Sequence, residues 1–250
     1  MNSFITWIGG KKLLRKRILE EFPEEGSFGR YIEVFGGAGW ILFSKDRHAS
    51  MEVFNDANGN LINLYRIVKY HPEELQRELN WILVSRDQFF HYVKQDQTGL
   101  TDIQRAARFF VLIKESFGAS CDSFGIRPKD MDRAVKYLTA VSQRLRPVVI
   151  ENVDFEQLLS TYDRKYALFY LDPPYFNAEK YYADKFSRED HNRLKRALEK
   201  LQGKFILSYN DCPEIRELYA GYHIMETQRQ DSLATKKEVR SYSELIIKNF

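Results

Sequence analysis

Tyr31-Ile32-Glu33-Val34-Phe35-Gly36-Gly37-Ala38-Gly39 couples a β-rich run to a cluster of three glycines. Tyr31 to Phe35 reads as a β-strand, Gly36 to Gly39 as a tight turn, and Trp40 to Lys45 as the start of a helix. Met51 to Phe54 follows as a second strand, stopped by Asn55-Asp56, and Leu61 to Val68 continues as a helix. Strand, glycine turn, helix, strand is the opening of a doubly wound α/β sheet. Glycines between a strand and a helix let the backbone approach a ligand closely. Phe35-x-Gly37-x-Gly39 lacks the full dinucleotide fingerprint, so NAD or FAD is not favoured. Asp56, at the end of the next strand, stands where an acid grips the hydroxyls of a nucleoside ribose. It also fits an Asn-Asp-x-Asn helix cap, and the two readings are compatible.

Upstream, Trp7-Ile8-Gly9-Gly10-Lys11 is a glycine-opened loop feeding an amphipathic helix from Lys12 to Phe22, with Leu14, Ile18 and Phe22 four residues apart. A helix start disfavours cations, so Lys11 beside two glycines points to a ligand carboxylate, or to a merely solvated cation. Downstream, Pro72 to Arg146 is dominated by helical patterns at Glu73 to Val84, Gln104 to Lys114 and Met131 to Leu145. Strand rhythm resumes at Val148 to Ile150, Ala167 to Leu171, Phe205 to Ser208, Tyr222 to Met225 and Glu244 to Ile247. The economical reading is one α/β domain, residues 1–69 and 148–250, interrupted by a mostly helical insertion, residues 70–147.

Asp172-Pro173-Pro174-Tyr175 closes the apolar run Ala167 to Leu171. Functional residues of open α/β sheets gather at such carboxyl ends. Neither proline donates a backbone hydrogen bond and both fix φ, so the loop holds an acid, carbonyls and an aromatic ring stiffly. That set suits a planar group offering amino hydrogens. Asp and Pro also favour ordinary strand-ending turns, so these four residues alone leave both readings open.

A chain of 250 residues with 44% hydrophobic content, 18 Phe and 15 Tyr has ample material for a core. Its net charge of +3 barely argues for a polyanionic partner, but Gln104 to Arg146 carries nine basic against four acidic side chains. Cys121 and Cys212 match no metal-ligand spacing, so free thiols and no metal are expected. No apolar run approaches the ~18 residues that span a bilayer. Lys11 and Lys12 follow Gly9-Gly10 where a signal peptide would need an apolar core. An intracellular, cytoplasmic protein, without membrane association or an obligate protein partner, is expected.

Taken in order, Trp7-x-Gly9-Gly10-Lys11, Phe35-x-Gly37-x-Gly39, Asn55-Asp56 and Asp172-Pro173-Pro174-Tyr175 resemble the Dam-like DNA adenine methyltransferases of the D12 class. In that group the cofactor motifs come first and the target-recognition region precedes the catalytic motif. Phe186-Ser187-x-x-Asp190-His191 and Phe205 to Asp211 look like its later motifs. The resemblance covers residues 4–69 and 148–250 and is much weaker between them. It implies a Rossmann-like seven-stranded methyltransferase sheet with a helical target-recognition insertion, S-adenosylmethionine as cofactor and double-stranded DNA as partner. Trp7, Lys11, Asp56 and Asp172 fall where the family contacts the cofactor, with Phe35, Gly37 and Gly39 in the loop that passes it. Asp172 and the Pro173 carbonyl are expected to hold the adenine amine, Pro174 to stiffen the loop, and Tyr175 to stack on a flipped base. DNA contacts are expected at Arg127 and Lys129 in the insertion and at Lys236, Lys237 and Arg240 in a second basic loop. The family's commonest target, GATC, is the expected one. The alternatives are methylation of cytosine, RNA or protein glutamine, or a catalytically silent DNA-binding module. The family associates a Ser in the first motif position with cytosine and an Asn with glutamine, so Asp172 points to adenine.

Overall fold

Ala167–Leu171, the fourth strand (β4), is buried at every residue, as expected for a strand covered on both faces. In the computed structural model, which describes residues 1–125, 130–177, 186–230 and 241–250, it lies at the centre of a seven-stranded sheet. The other strands are β1 Arg30–Glu33, β2 Met51–Asn55, β3 Val148–Glu151, β5 Lys204–Asn210, β6 His223–Gln230 and β7 Ser241–Lys248. Their order is β3-β2-β1-β4-β5-β7-β6. The first five are mutually parallel, and β7 pairs antiparallel with both β5 and β6. The chain moves outward from β1 through β2 to β3, then returns to lay β4 on the other flank of β1. Loops leaving β1 and β4 therefore diverge, and that switch point opens a crevice at the carboxyl ends of the strands.

Helices cover both faces. On one, α1 Arg15–Glu20, α2 Gly59–Tyr70, α3 Pro72–Asn80, α5 Asp102–Glu115 and α6 Met131–Leu145 share a continuous apolar cluster with Tyr31, Phe54, Leu168 and Ile206 of the sheet. Helix α4, Arg86–Lys94, packs on α5. On the other face, α7 Phe155–Tyr162, α8 Arg188–Glu199 and α9 Pro213–Leu218 bury Leu158, Leu194 and Ile215 against Ile32, Phe169 and Leu207. The helices of residues 70–147 thus extend the core of the sheet through α2 rather than building a second one.

The expected strands and the helices from Leu61, Glu73, Gln104 and Met131 all form, with shifted ends. Trp40 to Lys45 does not become an α-helix; only a 3-10 turn forms at Leu42–Ser44. The reason is competition for its backbone: Leu42 N donates to Glu33 Oε2 at 2.8 Å, and Leu42 O accepts from Arg144 Nη2 at 2.9 Å. Helices α4, α7, α8 and α9 are additions to the sequence reading, although their starts carry ordinary signals. Ser85 and Asp154 cap α4 and α7, Ser187 and Asp190 form a capping box on α8, and Pro213 opens α9.

Candidate active site

Carboxyl-end loops of β1, β2 and β4 meet around one cavity of about 300 Å³. It is lined by Trp7, Gly10, Lys11, Glu33 to Ile41, Asn55 to Asn58, Asp154, Phe155, Asp172, Pro174 and Phe186, among others. The glycine turn forms its floor. Gly36 N donates to Asn55 O at 2.7 Å and Gly39 N to Gly36 O at 2.8 Å. Gly37 has φ +50°, and a Cβ there would stand 2.8 Å from Cδ1 of Trp7. Asn55 ties the neighbouring loops together, donating from Nδ2 to Val34 O and Val153 O while its Oδ1 accepts from Val153 N.

Asp56 braces two neighbouring backbone segments. Its Oδ2 accepts from Gly37 N at 2.8 Å and its Oδ1 from Asn58 N at 2.8 Å, and it still lines the cavity. The cap of α2 is Asn58, whose side chain accepts from Leu61 N. Phe35, Phe155 and Phe186 surround one end of the cavity, with ring centroids 5.8 to 6.0 Å apart. Trp7 packs edge-on against Phe109 of α5 at 6.1 Å.

The centre of charge is Asp172. Lys11 Nζ lies 2.5 Å from Asp172 Oδ1, with the lysine 3% and the aspartate 18% exposed. Ser208 Oγ donates to the same oxygen at 3.0 Å and meets the Tyr170 hydroxyl at 3.1 Å. Both partners engage Oδ1, which orients Oδ2. Lys11 also donates to Gly9 O at 3.1 Å and sits 4.6 Å from the Tyr175 ring centroid. Pro173 is buried, and Tyr175 is half-buried beside Tyr209, 6.3 Å between centroids. Asn210 fixes the end of this loop, accepting from Phe176 N and donating to Phe176 O. His191 is buried on α8, where Phe176, Phe186 and Tyr209 surround it.

Most of the residues singled out in the sequence therefore converge: Trp7, Lys11, Phe35, Gly37, Gly39, Asp56, Asp172 and Pro174 line one cavity. Pro173 and Tyr175 adjoin it without belonging to its lining. Arg127, Lys129, Lys236, Lys237 and Arg240 lie outside the described residues. Two of the basic residues counted in the insertion are interior. Arg108 is buried and donates to Tyr92 O, and Arg144 is buried in an ion pair with Glu52. Neither is exposed to a polyanion.

Sequence reading misses several lining groups. Glu33 is fully buried, accepts from the Tyr31 hydroxyl and Leu42 N, and has its carboxyl pushed up to about 8 by burial. Asp154-Phe155 follows a strand end just as Asn55-Asp56 does, and that parallel is a usable signal. Ala119 to Cys121 reach the cavity from the loop after α5, and no local pattern announces it.

The family model for D12 class N6 adenine-specific DNA methyltransferases matches residues 7–233, nearly the whole chain and every loop of this cavity. The chain belongs to that family. It is an adenine-specific DNA methyltransferase, and family and sheet together imply use of S-adenosylmethionine. Among relatives of the D12 methyltransferase, the Type II methyltransferase M1.LlaDCHI of Lactococcus lactis subsp. cremoris is 27% identical, covering 100% of this chain and 96% of its own. The DNA adenine methylase of Salmonella typhi is 24% identical over 95% and 92%. The solved rRNA methylase of Streptococcus thermophilus aligns over 95% and 96% at 10% identity, with a TM-score of only 0.39. Among the described residues no helix is long and apolar enough to cross a membrane.

Proposed function

We propose that this D12 methyltransferase methylates the exocyclic nitrogen of an adenine rotated out of double-stranded DNA, with GATC as the target to try first. The observation that carries the reading is the clamped Asp172: two partners on Oδ1 direct Oδ2 as an acceptor beside a cavity suited to a nucleoside cofactor.

The residues fit S-adenosylmethionine. The glycine floor lets the Trp7 ring close on the turn, where a Cβ at Gly37 would collide with it, Asp56 stands ready for ribose hydroxyls, and the three phenylalanines make an apolar slot for an adenine ring. Glu33 offers a buried carboxyl that holds its proton until a cationic group arrives, and Trp7 and Lys11 complete the wall. When bound, S-adenosylmethionine supplies an electrophilic methyl group on a sulfonium.

The chain's own residues then act on the target amine, whose lone pair is delocalised into the ring. Asp172 Oδ2 and the Pro173 carbonyl accept its two hydrogens and favour the localised nitrogen of the transition state. Pro174 and the Asn210 clamp keep those acceptors still, so their geometry is set before the base arrives. Tyr175 stacks on the extruded ring, because a base within the duplex is out of reach. After transfer, the surplus proton on nitrogen passes to Asp172 or to solvent.

Residues 70–147 are proposed as the target-recognition insertion on residues 1–69 and 148–250. Support comes from Ala119 to Cys121, by which that segment contributes wall to the cavity. Arg127, Lys129, Lys236, Lys237 and Arg240 are proposed DNA contacts, and the cytoplasm is the proposed compartment. Incubating the chain with S-adenosylmethionine and mixed duplexes, then mapping modified bases, tests the reading. Expected is N6-methyladenine at one recurring sequence. Methyl groups on cytosine, RNA or glutamine would overturn it.

A further inference from the structure

Lys11-Lys12-Leu13-Leu14-Arg15-Lys16-Arg17 places five cations and no acid in seven residues. The whole chain carries only +3, so the remaining residues together are net negative. Such a concentration next to the active-site cavity is not explained by anything in the proposed chemistry, which uses Lys11 alone.

The structure separates these cations by role. Lys11 is buried on Asp172, and Arg17 is occupied by Glu20 and Glu21 at 3.2 and 2.7 Å. Leu14 and Ile18 point into the core and anchor α1. Lys12 and Lys16 are exposed and Arg15 is partly exposed, on the outward side of α1 and the turn before it. Lys12 Nζ and the Arg15 guanidinium lie 5.7 and 5.9 Å from the Trp40 ring centroid, and Trp40 lines the cavity. Arg15 Nη1 also donates to Asn2 Oδ1, and Asn2 O accepts from the Tyr137 hydroxyl of α6. Exposed Arg133 and Lys136 occupy the same half of α6 as Tyr137. A band of cations thus runs from the rim of the cavity along α1, while on α6 Arg133 and Lys136 share their half with the exposed acids Asp130 and Asp132.

We propose that this band, with Lys12, Arg15 and Lys16 at its centre, is a phosphate-binding ledge that carries the duplex beside the mouth of the active-site cavity. The occupant is double-stranded DNA, held through its backbone and therefore without regard to sequence. A flipped base can enter only if its strand passes over the rim, and the Trp40-packed cations stand at that rim. The ledge rests on the DNA reading proposed above and adds a surface that reading does not assign.

The test is the salt dependence of DNA binding by the full chain, using duplexes with and without the methylated sequence. Replacing Lys12, Arg15 and Lys16 together by Gln should make the plot of log affinity against log salt shallower by about 0.9 for each phosphate no longer neutralised, about 2 to 3 in all. The weakening should be equal for both duplexes, with S-adenosylmethionine affinity and the rate at saturating DNA unchanged. A charge-retaining variant, K12R/R15K/K16R, should keep the parental slope. An unchanged slope in the Gln variant, a weakening confined to one sequence, or the same weakening in the charge-retaining variant would overturn the ledge. A chain that methylates no DNA would remove the underlying reading instead, so the two failures are distinguishable.

Discussion

Ser208 is the residue on which the geometry of Asp172 turns, because its hydroxyl shares Oδ1 with Lys11. On the proposed mechanism Ser208→Ala lets the carboxylate rotate, and misplacement on the ångström scale costs about 10²-fold in rate. We expect kcat to fall by about 10- to 100-fold with the KM for S-adenosylmethionine nearly unchanged, and Ser208→Thr to recover much of it. Steady-state kinetics with saturating DNA checks this. Tyr175→Ala should act differently, raising the KM for DNA and weakening the fluorescence rise of 2-aminopurine placed at the target. Glu33 makes a pH prediction. Its folded-state value of about 8 lies above the ordinary 4.5, so the folded form holds the proton more tightly. The stability it contributes is full below about pH 4.5 and is lost as pH rises toward 8. From about pH 5 to 8 the melting temperature of the parent should therefore fall relative to that of Glu33→Gln; the depressed His48, which favours the fold as pH rises from about 4 to 6.5, acts equally in both and drops out of the difference.

The decisive element is the glycine turn between β1 and Leu42–Ser44. Gly37→Ala would force a left-handed residue, at about 1–2 kcal/mol, and drive its Cβ toward the Trp7 ring. A fall of at least about tenfold in S-adenosylmethionine affinity by calorimetry is expected, and unchanged affinity would show that the floor is not a cofactor contact. This turn and the proline-stopped end of β4 are legible because special residues mark them: glycine for φ, proline for rigidity. Elements defined by side-chain competition are not. Nothing around Trp40 to Lys45 announces that Glu33 and Arg144 will claim the backbone of Leu42, since Arg144 comes from a helix about a hundred residues away. The capped starts of α4, α7 and α8 and the proline that opens α9 are present in the sequence; α4, α7 and α9 are short, and α8 shows only His191, Leu194 and Leu198 as a buried stripe in an otherwise polar helix.

Across the whole molecule, the helices after α2 are joined to the sheet by a buried ion pair. Arg144 on α6 binds both Glu52 oxygens at 2.8 Å from β2, with the pair 5% and 1% exposed. Arg144→Leu would leave Glu52 buried and uncompensated, a destabilisation of about 3–5 kcal/mol, whereas replacing both by Leu should cost much less. Chemical denaturation of the three variants measures it. At this scale the sequence is least informative about the site. Trp7, Gly37, Asp56 and Asp172 are found from local marks. Glu33 looks like one strand residue among others, and Ala119 to Cys121 reach the cavity only through the path of α5. The basic residues of the insertion likewise divide into interior and exposed sets only once Arg108 and Arg144 are seen to be buried. Whether Asp172 holds the target amine is decided by base-resolved mapping of duplex DNA treated with the parent chain and with Asp172→Ala. N6-methyladenine at a recurring sequence is expected for the parent and none for the variant, whose circular dichroism stays that of the parent while its melting temperature falls because buried Lys11 loses its partner. A folded variant that methylates adenine at the parental rate would rule out that role for Asp172.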